Sequence, residues 1–239
     1  VKLEMVRCPA GTFTMGSPAE EQGREDDDEA QHQVTISKPF WIGKYEVTQA
    51  QYEAVMGNNP SHFKGDNLPV EKVTWDKAVS FCKKLTASEK KAGRLPEGYK
   101  YSLPTEAQWE YACRAGTKTA LNSGKNLTDT EECSNVDEVG WYVINAENKT
   151  HPVGQKKANE WGLYDMHGNV MEWCLDWYDD YPTEAVTDPA GPEKGMTREA
   201  RGGAWIFRAS YCRSAYRGGN DPDDDSYAVG FRVALVPEK

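Results

Sequence analysis

The sequence predicts an α+β domain made of short strands and a few helices. Three observations lead to this prediction: strand-like alternation near both ends of the chain, three capped helices between residues 48 and 116, and a second half without a long periodic run. A half of that kind needs bound ions, disulfides or dense aromatic packing to become ordered.

The predicted strands rest on two-residue alternation of apolar and polar side chains. Residues 3–7, 11–17, 33–36 and 40–42 show an extended pattern in the first half, and residues 230–235 form the last strand. A first and a last strand of this kind can pair, which would bring the two termini together.

Each predicted helix begins at a threonine that caps it, and these threonines are Thr48, Thr74 and Thr105. A glutamine three residues after the first and the third completes a capping box. The expected ends are glycines, namely Gly57, Gly93 and Gly116. The residues predicted to face the core are Ala78, Phe81, Cys82 and Leu85 in the second helix and Trp109 and Ala112 in the third.

The charge balance excludes one class of partner. With 28 basic and 38 acidic residues the net charge is −10, which repels phosphate backbones, so we expect no nucleic-acid partner. The acidic run over residues 20–29 is expected to be a solvated loop, because it shows no recognisable metal-ligand spacing. No apolar stretch reaches the ~18 residues of a membrane span, and no signal peptide is visible.

The cysteines leave two states open. None of the six forms a CxxC pair and no histidine lies at zinc-finger spacing, so no zinc site is expected. An even count permits up to three disulfides, and it permits buried free thiols equally well.

Six sequence blocks follow one another along nearly the whole chain, at residues 9–17, 44–49, 103–112, 162–173, 201–205 and 230–232. Together they resemble the formylglycine-generating enzyme (sulfatase-modifying factor) family. The resemblance implies a C-type-lectin-like fold: a small twisted antiparallel sheet, a few helices and long ordered loops. It also implies a single domain over residues 1–239.

The resemblance implies two structural calcium sites, because the family's ligand blocks have counterparts here. The residues that match the first site are Asp165, Gly168, Val170 and Glu172. Those that match the second are Asn135, Val136, Asn145 and Glu147. Carboxylates, amides and backbone carbonyls are the ligands that calcium prefers. At the first site the alternative is that Asp165 caps the turn and Glu172 pairs with an arginine; at the second, Asn145 stands where the enzymes usually have aspartate.

The oxidase of this family holds copper(I) between two cysteines five residues apart, which soft thiolates suit. Here Cys212 matches the second cysteine, but Phe207 stands at the first position and Ala204 replaces the active-site serine. One thiolate cannot form a two-coordinate site, so we expect no catalytic residues, no copper and no formylglycine-generating activity. We expect Cys212 to bridge Cys174, with a free buried thiol as the alternative.

Residues 201–232 also resemble the C-terminal variable region of C-type-lectin-like proteins that retroelements diversify. Several loop residues here can be reached from an asparagine codon by adenine mutation. Aromatic residues and arginine dominate binding hot spots. The expected ligand contacts are Trp205, Ile206, Phe207, Arg208, Ser210, Tyr211, Gly218, Gly219, Asp221, Ser226 and Tyr227. For Trp205, as for Tyr216 and Arg217, the alternative is a structural role.

The leading functional hypothesis is a non-enzymatic ligand-binding domain that recognises a protein or another surface ligand, and one form of this hypothesis is a diversified surface protein. We expect a monomer at the cell surface or envelope, with any anchor in a preceding segment. The alternative is a structural envelope or fusion module. An exposed aromatic patch over residues 205–211 would favour binding, and a closed polar surface would favour the module.

Overall fold

The computed structural model describes residues 1–25 and 28–238. The strands are β1 (Met5–Cys8), β2 (Gly11–Met15), β3 (His32–Ile36), β4 (Phe40–Gly43), β5 (Tyr99–Ser102), β6 (Met171–Trp177), β7 (Val186–Thr187), β8 (Arg198–Arg201), β9 (Arg217–Asn220), β10 (Val229–Gly230) and β11 (Ala234–Pro237). The α-helices are α1 (Gln49–Met56), α2 (Trp75–Lys91), α3 (Glu106–Arg114) and α4 (Ser134–Asp137), and residues Ala209–Cys212 form a 3₁₀ turn.

The strands form three small sheets. The first has the order β1-β4-β11-β5 and is antiparallel throughout. The second has the order β10-β6-β8-β9, and the third has the order β2-β3-β7. The first and last strands therefore share a sheet but do not pair, because β4 lies between them. The predicted final strand is also divided, since residues 231–233 between β10 and β11 are not extended sheet.

The helix predictions are confirmed at their starts. Thr48, Thr74 and Thr105 cap α1, α2 and α3, and the capping boxes of α1 and α3 are both formed. Gly57 ends α1 in the left-handed conformation (φ 86°). The other two helices end one residue earlier than predicted, at Ala92 and Ala115.

The core around α1 and α2 is built on aromatic contacts. Tyr52 of α1 stacks on Phe81 of α2 with ring centroids 5.7 Å apart, and Phe231 meets the Phe81 ring edge-on at 5.2 Å. All three side chains are buried. A second cluster packs Trp109 of α3 against residues of β2, β3 and β4. The predicted inward faces of α2 and α3 are thus confirmed.

Buried arginines order the second half. They are fully or almost fully buried, and they pair with carboxylates from distant parts of the chain. The pairs are Arg201 with Glu110, Arg213 with Glu21 and Glu29, Arg217 with Glu106 and Glu199, and Arg232 with Glu172. Dense charge pairing takes the place of the periodic apolar pattern that this half lacks.

The acidic run corrects one prediction. Arg213 Nη1 lies 2.8 Å from Glu21 Oε1, and Arg213 Nη2 lies 2.6 Å from Glu29 Oε1. Burial acts to raise the pKa of Glu29, but the hydrogen bonds and the charge of Arg213 hold it below its usual value. A solvated loop is therefore wrong for Glu21 and Glu29, which fold onto the second half; Asp26 and Asp27 lie outside the described residues.

None of the helices within residues 1–25 and 28–238 has the length and the apolar content needed to cross a membrane.

Candidate ligand-binding face

The loop that begins at the Gly-Gly motif is held by close backbone packing. Gly202 and Gly203 both have left-handed φ angles, 99° and 72°. A Cβ atom at Gly203 would lie 2.7 Å from the Cys212 sulfur, so only glycine allows this approach. The Gly-Gly pair therefore locks the 3₁₀ turn that carries Cys212 beneath the loop.

Cys212 is fully buried, and burial raises the pKa of its thiol to about 12. Its carbonyl oxygen accepts a hydrogen bond from His167 Nδ1 at 2.7 Å. His167 Nε2 accepts a hydrogen bond from the Asn122 amide at 3.0 Å, and burial lowers the pKa of this imidazole to about 4. His167 is accordingly a neutral structural link between two loops.

The expected Cys174–Cys212 bridge is wrong. All six cysteines are buried free thiols. Cys174 packs in the cluster around α3, whereas Cys212 packs in a separate cluster with Tyr142 and Ala209. Burial raises the thiol pKa of Cys8 and Cys113 to about 12 as well.

Trp205 anchors the surface of the loop. It is 6% exposed, and its indole Nε1 donates to the Tyr227 carbonyl at 3.2 Å. Its ring lies 5.4 Å from Phe63, edge-on, and 5.6 Å from Tyr227. Trp205 therefore has the structural role that was the alternative for it. Its ring packs against neighbouring side chains that reach solvent.

Apolar side chains around this anchor are exposed. Ile206 is 38% exposed and Tyr227 is 44% exposed. The Val143 amide donates to the Phe207 carbonyl at 2.9 Å, which brings the exposed Val143 and Ile144 beside them. We name this surface the aromatic face, and its members are His62, Phe63, Val143, Ile144, Trp205, Ile206, Phe207, Tyr211 and Tyr227.

The half-buried Phe207 leads to a second stack. Its ring lies 5.6 Å from Tyr211, and the Tyr211 ring stacks on Tyr216 at 4.7 Å. Arg208 lies over Tyr211, 4.9 Å from the ring centroid, and pairs with Glu131 at the surface. Arg208 and Tyr211, both expected to contact the ligand, therefore lie next to each other at the end of this aromatic stack.

Among the remaining predicted contacts, Ser226 directly precedes Tyr227 of the aromatic face, whereas the others lie in different elements. Ser210 is 5% exposed and lies beneath the Gly23 loop, where a Cβ at Gly23 would meet the Ser210 side chain at 2.8 Å. Gly218 and Gly219 are in β9, whereas Ser226 and Tyr227 precede β10, and these strands are the opposite edges of one sheet. Asp221 begins the turn between them. The structure thus groups residues 205–208 with Tyr211 and Tyr227.

Sequence reasoning missed four members of the aromatic face: His62, Phe63, Val143 and Ile144. They come from loops more than 50 residues away in sequence from Trp205, and no periodic pattern marks them. The available signal was the run of four apolar or aromatic residues over 141–144.

The first predicted calcium set surrounds a tight turn. A Cβ at Gly168 would lie 2.1 Å from the Trp141 carbonyl, so the turn requires glycine. The Asp165 carboxylate accepts the Gly154 amide at 2.7 Å through Oδ2, while its buried Oδ1 has no partner within residues 1–25 and 28–238. Burial raises the pKa of Asp165 to about 6.

Glu172 pairs with an arginine, which was the alternative for this residue. Arg232 Nη2 donates to Glu172 Oε1 at 2.6 Å, and Trp109 Nε1 donates to Oε2 at 2.7 Å. Sequence reasoning missed Glu46, which accepts the Val170 amide at 3.1 Å and the Asn169 side-chain amide at 2.8 Å. Burial, with the charges of Asp165 and Glu172, raises the pKa of Glu46 well above its usual value.

The second predicted set is only partly brought together. Asn145 donates to Asp137 at 2.9 Å and accepts the Tyr142 amide at 2.9 Å. The Asn135 side chain donates to the Asn126 carbonyl, and the Val136 carbonyl accepts the Gly140 amide. Glu147 is exposed, with its carboxylate on Lys149. Within the part of the chain that the structure describes, no three His, Cys, Asp or Glu side chains converge to hold a metal ion.

The fold and the loop surface define a C-type-lectin-like domain of the formylglycine-generating-enzyme type. The family model for the sulfatase-modifying factor enzyme 1-like domain matches residues 2–236, and the chain belongs to this family. Treponema denticola variable protein 1 has a similar structure, with a TM-score of 0.86 and 32% identity over 99% of this chain and 96% of that one.

Two curated relatives are also similar. The chaperone protein LppX of Paenibacillus barcinonensis is 37% identical over an alignment of 242 positions, which covers 84% of this chain and 81% of that protein. The formylglycine-generating enzyme of Mus musculus is 29% identical over an alignment of 293 positions, which covers 97% of this chain and 74% of the enzyme.

Proposed function

We propose that this chain is a non-enzymatic recognition domain that binds a protein ligand through the aromatic face. The observation that carries the proposal is the group of exposed apolar side chains, Ile206, Tyr227, Val143 and Ile144, around the buried Trp205. Rigid aromatic anchors beside solvent-exposed apolar groups are typical of binding hot spots. Exposed apolar surface is costly without such a role.

An oxidase function is not proposed, because the required thiol pair is missing. Phe207 occupies the position of the first cysteine, and its side chain cannot ligate copper. Cys212 is buried, and the pKa of its thiol is raised to about 12, so it carries no thiolate at neutral pH. We expect no copper binding and no formylglycine product.

We propose that residues 201–232 are a diversified segment, and the similarity to variable protein 1 supports this. In that case the exposed Ile206, Arg208 and Tyr227 vary between copies of the locus, while Trp205, Gly203 and Cys212 stay constant because they hold the loop. Sequencing the locus across strains tests the idea. An invariant residue 206 and residue 227 in every strain would refute it.

A structural or assembly module of the cell envelope is the second candidate. The similarity to a protein named a chaperone favours it, and a chaperone also contacts other proteins. Both candidate functions require that this chain binds a protein partner. We propose that the chain is a monomer at the cell surface or envelope.

We also propose calcium as a structural ion at the first predicted set. The unpartnered, buried Asp165 Oδ1 is the observation that supports it, because an orphaned carboxylate oxygen is costly. The Gly168 and Val170 carbonyls would complete the site. Glu172 Oε1 accepts one bond from Arg232, and a carboxylate oxygen has room for a second contact. We propose a second calcium site at Asn135, Val136, Asn145 and Glu147. The Asn145 side chain would have to rotate to direct its amide oxygen at the ion, because that oxygen now accepts the Tyr142 amide.

The binding proposal is tested by site-specific photo-crosslinking in the native cells. A benzophenone side chain replaces Ile206 in one variant and Met196, which is 91% exposed, in a control variant. We expect one discrete protein adduct at residue 206, none at residue 196, and loss of the adduct when Tyr227→Ser is added. Equal labelling from both positions would refute a specific face.

The enzymatic alternative is tested with the same purified chain. It is incubated with copper(I) and a cysteine-containing sulfatase peptide, and the product is followed by mass spectrometry. The expected result is unchanged peptide. Conversion to formylglycine would overturn the proposal.

A further inference from the structure

A cavity of about 310 Å³ lies away from the aromatic face, where β6 ends against β3 and the start of α3. Its walls are largely apolar, with Met15, Pro182, Pro189, Ala190 and Pro192 among the lining residues. Its volume lies at the lower end of the range for small-molecule sites. An aliphatic chain fits such walls.

Asp176 lies at this cavity without a basic partner. It is 4% exposed, and its Oδ2 accepts the Glu106 backbone amide at 2.9 Å. Within residues 1–25 and 28–238, no Lys, Arg or His lies at ion-pair distance from Asp176, and Oδ1 accepts no hydrogen bond from another residue. Burial and the negative charge of Glu106 raise the pKa of this carboxyl to about 7, because the nearby charge of Arg217 compensates for them only in part.

The other charges at the cavity are either satisfied or acidic. Arg217 donates from Nε to Glu106 at 2.7 Å, from Nη1 to the Asp28 carbonyl at 3.1 Å, and from Nη2 to Glu106 at 3.0 Å. All three nitrogens are thus engaged, and Tyr181 donates to the same Glu106 carboxylate. An anion therefore finds few free donors here.

Two further acids line the exposed side of the cavity. Asp179 and Asp180 are both exposed, and neither pairs with a basic side chain in the described part of the chain. Arg217 is already paired with Glu106 and Glu199, so the two exposed aspartates leave an acidic rim at the cavity. His32 packs its ring on Tyr181, with centroids 4.7 Å apart, at the opposite wall.

We propose that this cavity binds an alkylammonium group, with the ammonium at Asp176 and the aliphatic stem along the proline-rich wall. Three donors on an ammonium match the free carboxylate oxygen and the acidic rim. The same chemistry comes from a lysine side chain of a protein partner or from a free alkyl diamine. The site is separate from the aromatic face and does not depend on it.

Calorimetric titration of the intact chain tests the proposal with three probes. They are Nα-acetyl-lysine methylamide, 1,5-diaminopentane and Nα-acetyl-norleucine methylamide, which is the neutral analogue of the first. We expect the amines to bind and the norleucine probe to give no heat. Tighter binding of the lysine probe indicates a protein lysine, and tighter binding of the diamine indicates a free diamine. Equal binding of the norleucine probe, or no binding of either amine, would overturn the proposal.

Variants locate the site. Asp176→Asn keeps the shape and removes the charge, so we expect at least about tenfold weaker amine binding, or roughly 1.4 kcal/mol. The double variant Asp179→Asn with Asp180→Asn changes only exposed residues, and we expect binding weaker by a few fold. Asp225→Asn, on a surface acid paired with Lys72, is the control and should bind as the parent does.

Two outcomes of these variants reject the site. One is amine binding by Asp176→Asn with parental affinity. The other is a loss in Asp225→Asn equal to that in the rim double variant, which would indicate general charge attraction. If Asp176→Asn fails to fold, the rim double variant decides alone. Tyr227→Ser should leave amine binding unchanged, so failure here and failure of the aromatic face are distinguishable.

Discussion

The helical region of residues 48–116 and the loop region of residues 197–232 are ordered by different forces. In the helical region Tyr52 and Phe81 pack apolar surface, and the threonine caps satisfy the helix ends. In the loop region Arg201, Arg213 and Arg217 are buried on carboxylates far away in sequence. The helix caps are local in sequence, whereas the buried ion pairs exist only when distant segments meet.

This difference matters for stability. A buried ion pair contributes little compared with a well-packed apolar pair, but removal of one partner leaves an uncompensated charge. The loop region is therefore more sensitive to loss of a single charge than the helical surface. The following predictions test that contrast.

The largest effect is expected for Arg232→Met. The variant leaves Glu172 buried without its cation and close to Glu46 and Asp165, so we expect a loss of about 3–5 kcal/mol of unfolding free energy. Urea unfolding measures it. The control is Arg94→Met in the helical region, where Arg94 is 60% exposed on Glu89, and the expected loss is under about 1 kcal/mol. Equal losses would contradict the contrast.

A pH dependence follows from Asp176. The pKa of its carboxyl is raised to about 7 when folded, against about 3.9 when unfolded, so charging it costs stability as pH rises from about 4 to about 7. Asp176→Asn removes this cost. Relative to the parent, the variant should gain about 2–3 kcal/mol of unfolding free energy between pH 5 and pH 8. If the difference in unfolding free energy between the variant and the parent stays constant with pH, the pKa of Asp176 is not raised in the folded state.

Removal of calcium comes next. An ion held at about 30 times its Kd contributes about 2 kcal/mol, so EGTA should lower the Tm by several degrees. Asp165→Asn should melt like the EGTA-treated parent and show no further shift with the chelator. If metal analysis detects no calcium and the chelator leaves the Tm unchanged, the calcium proposal is wrong and the ion pairs are the main source of order.

The smallest effect is expected for Ile206→Ser on the aromatic face. The side chain is exposed, so the unfolding free energy should change by less than about 0.5 kcal/mol. Crosslinking of the partner at a neighbouring position should nevertheless be lost. A large drop in Tm would mean that Ile206 is a packing residue and that the aromatic face is smaller than proposed.

The sequence by itself determined the helix starts, the inward faces of α2 and α3, the family and the loss of the copper pair. These depend on neighbours within a few residues, such as Thr105 with Gln108, or on aligned blocks, such as Gly203 with Phe207 and Cys212. Local hydrogen bonds and periodic burial can be seen in one stretch of sequence.

Only the tertiary structure decided which strands pair, that the acidic run is partly buried, and that the six thiols stay free. It also decided that Phe63 and Val143 join Trp205 at the surface, while Ser210 is covered. The physical reason is distance along the chain. A charge such as Glu29 is solvated or buried according to whether Arg213, 184 residues away, is there to meet it.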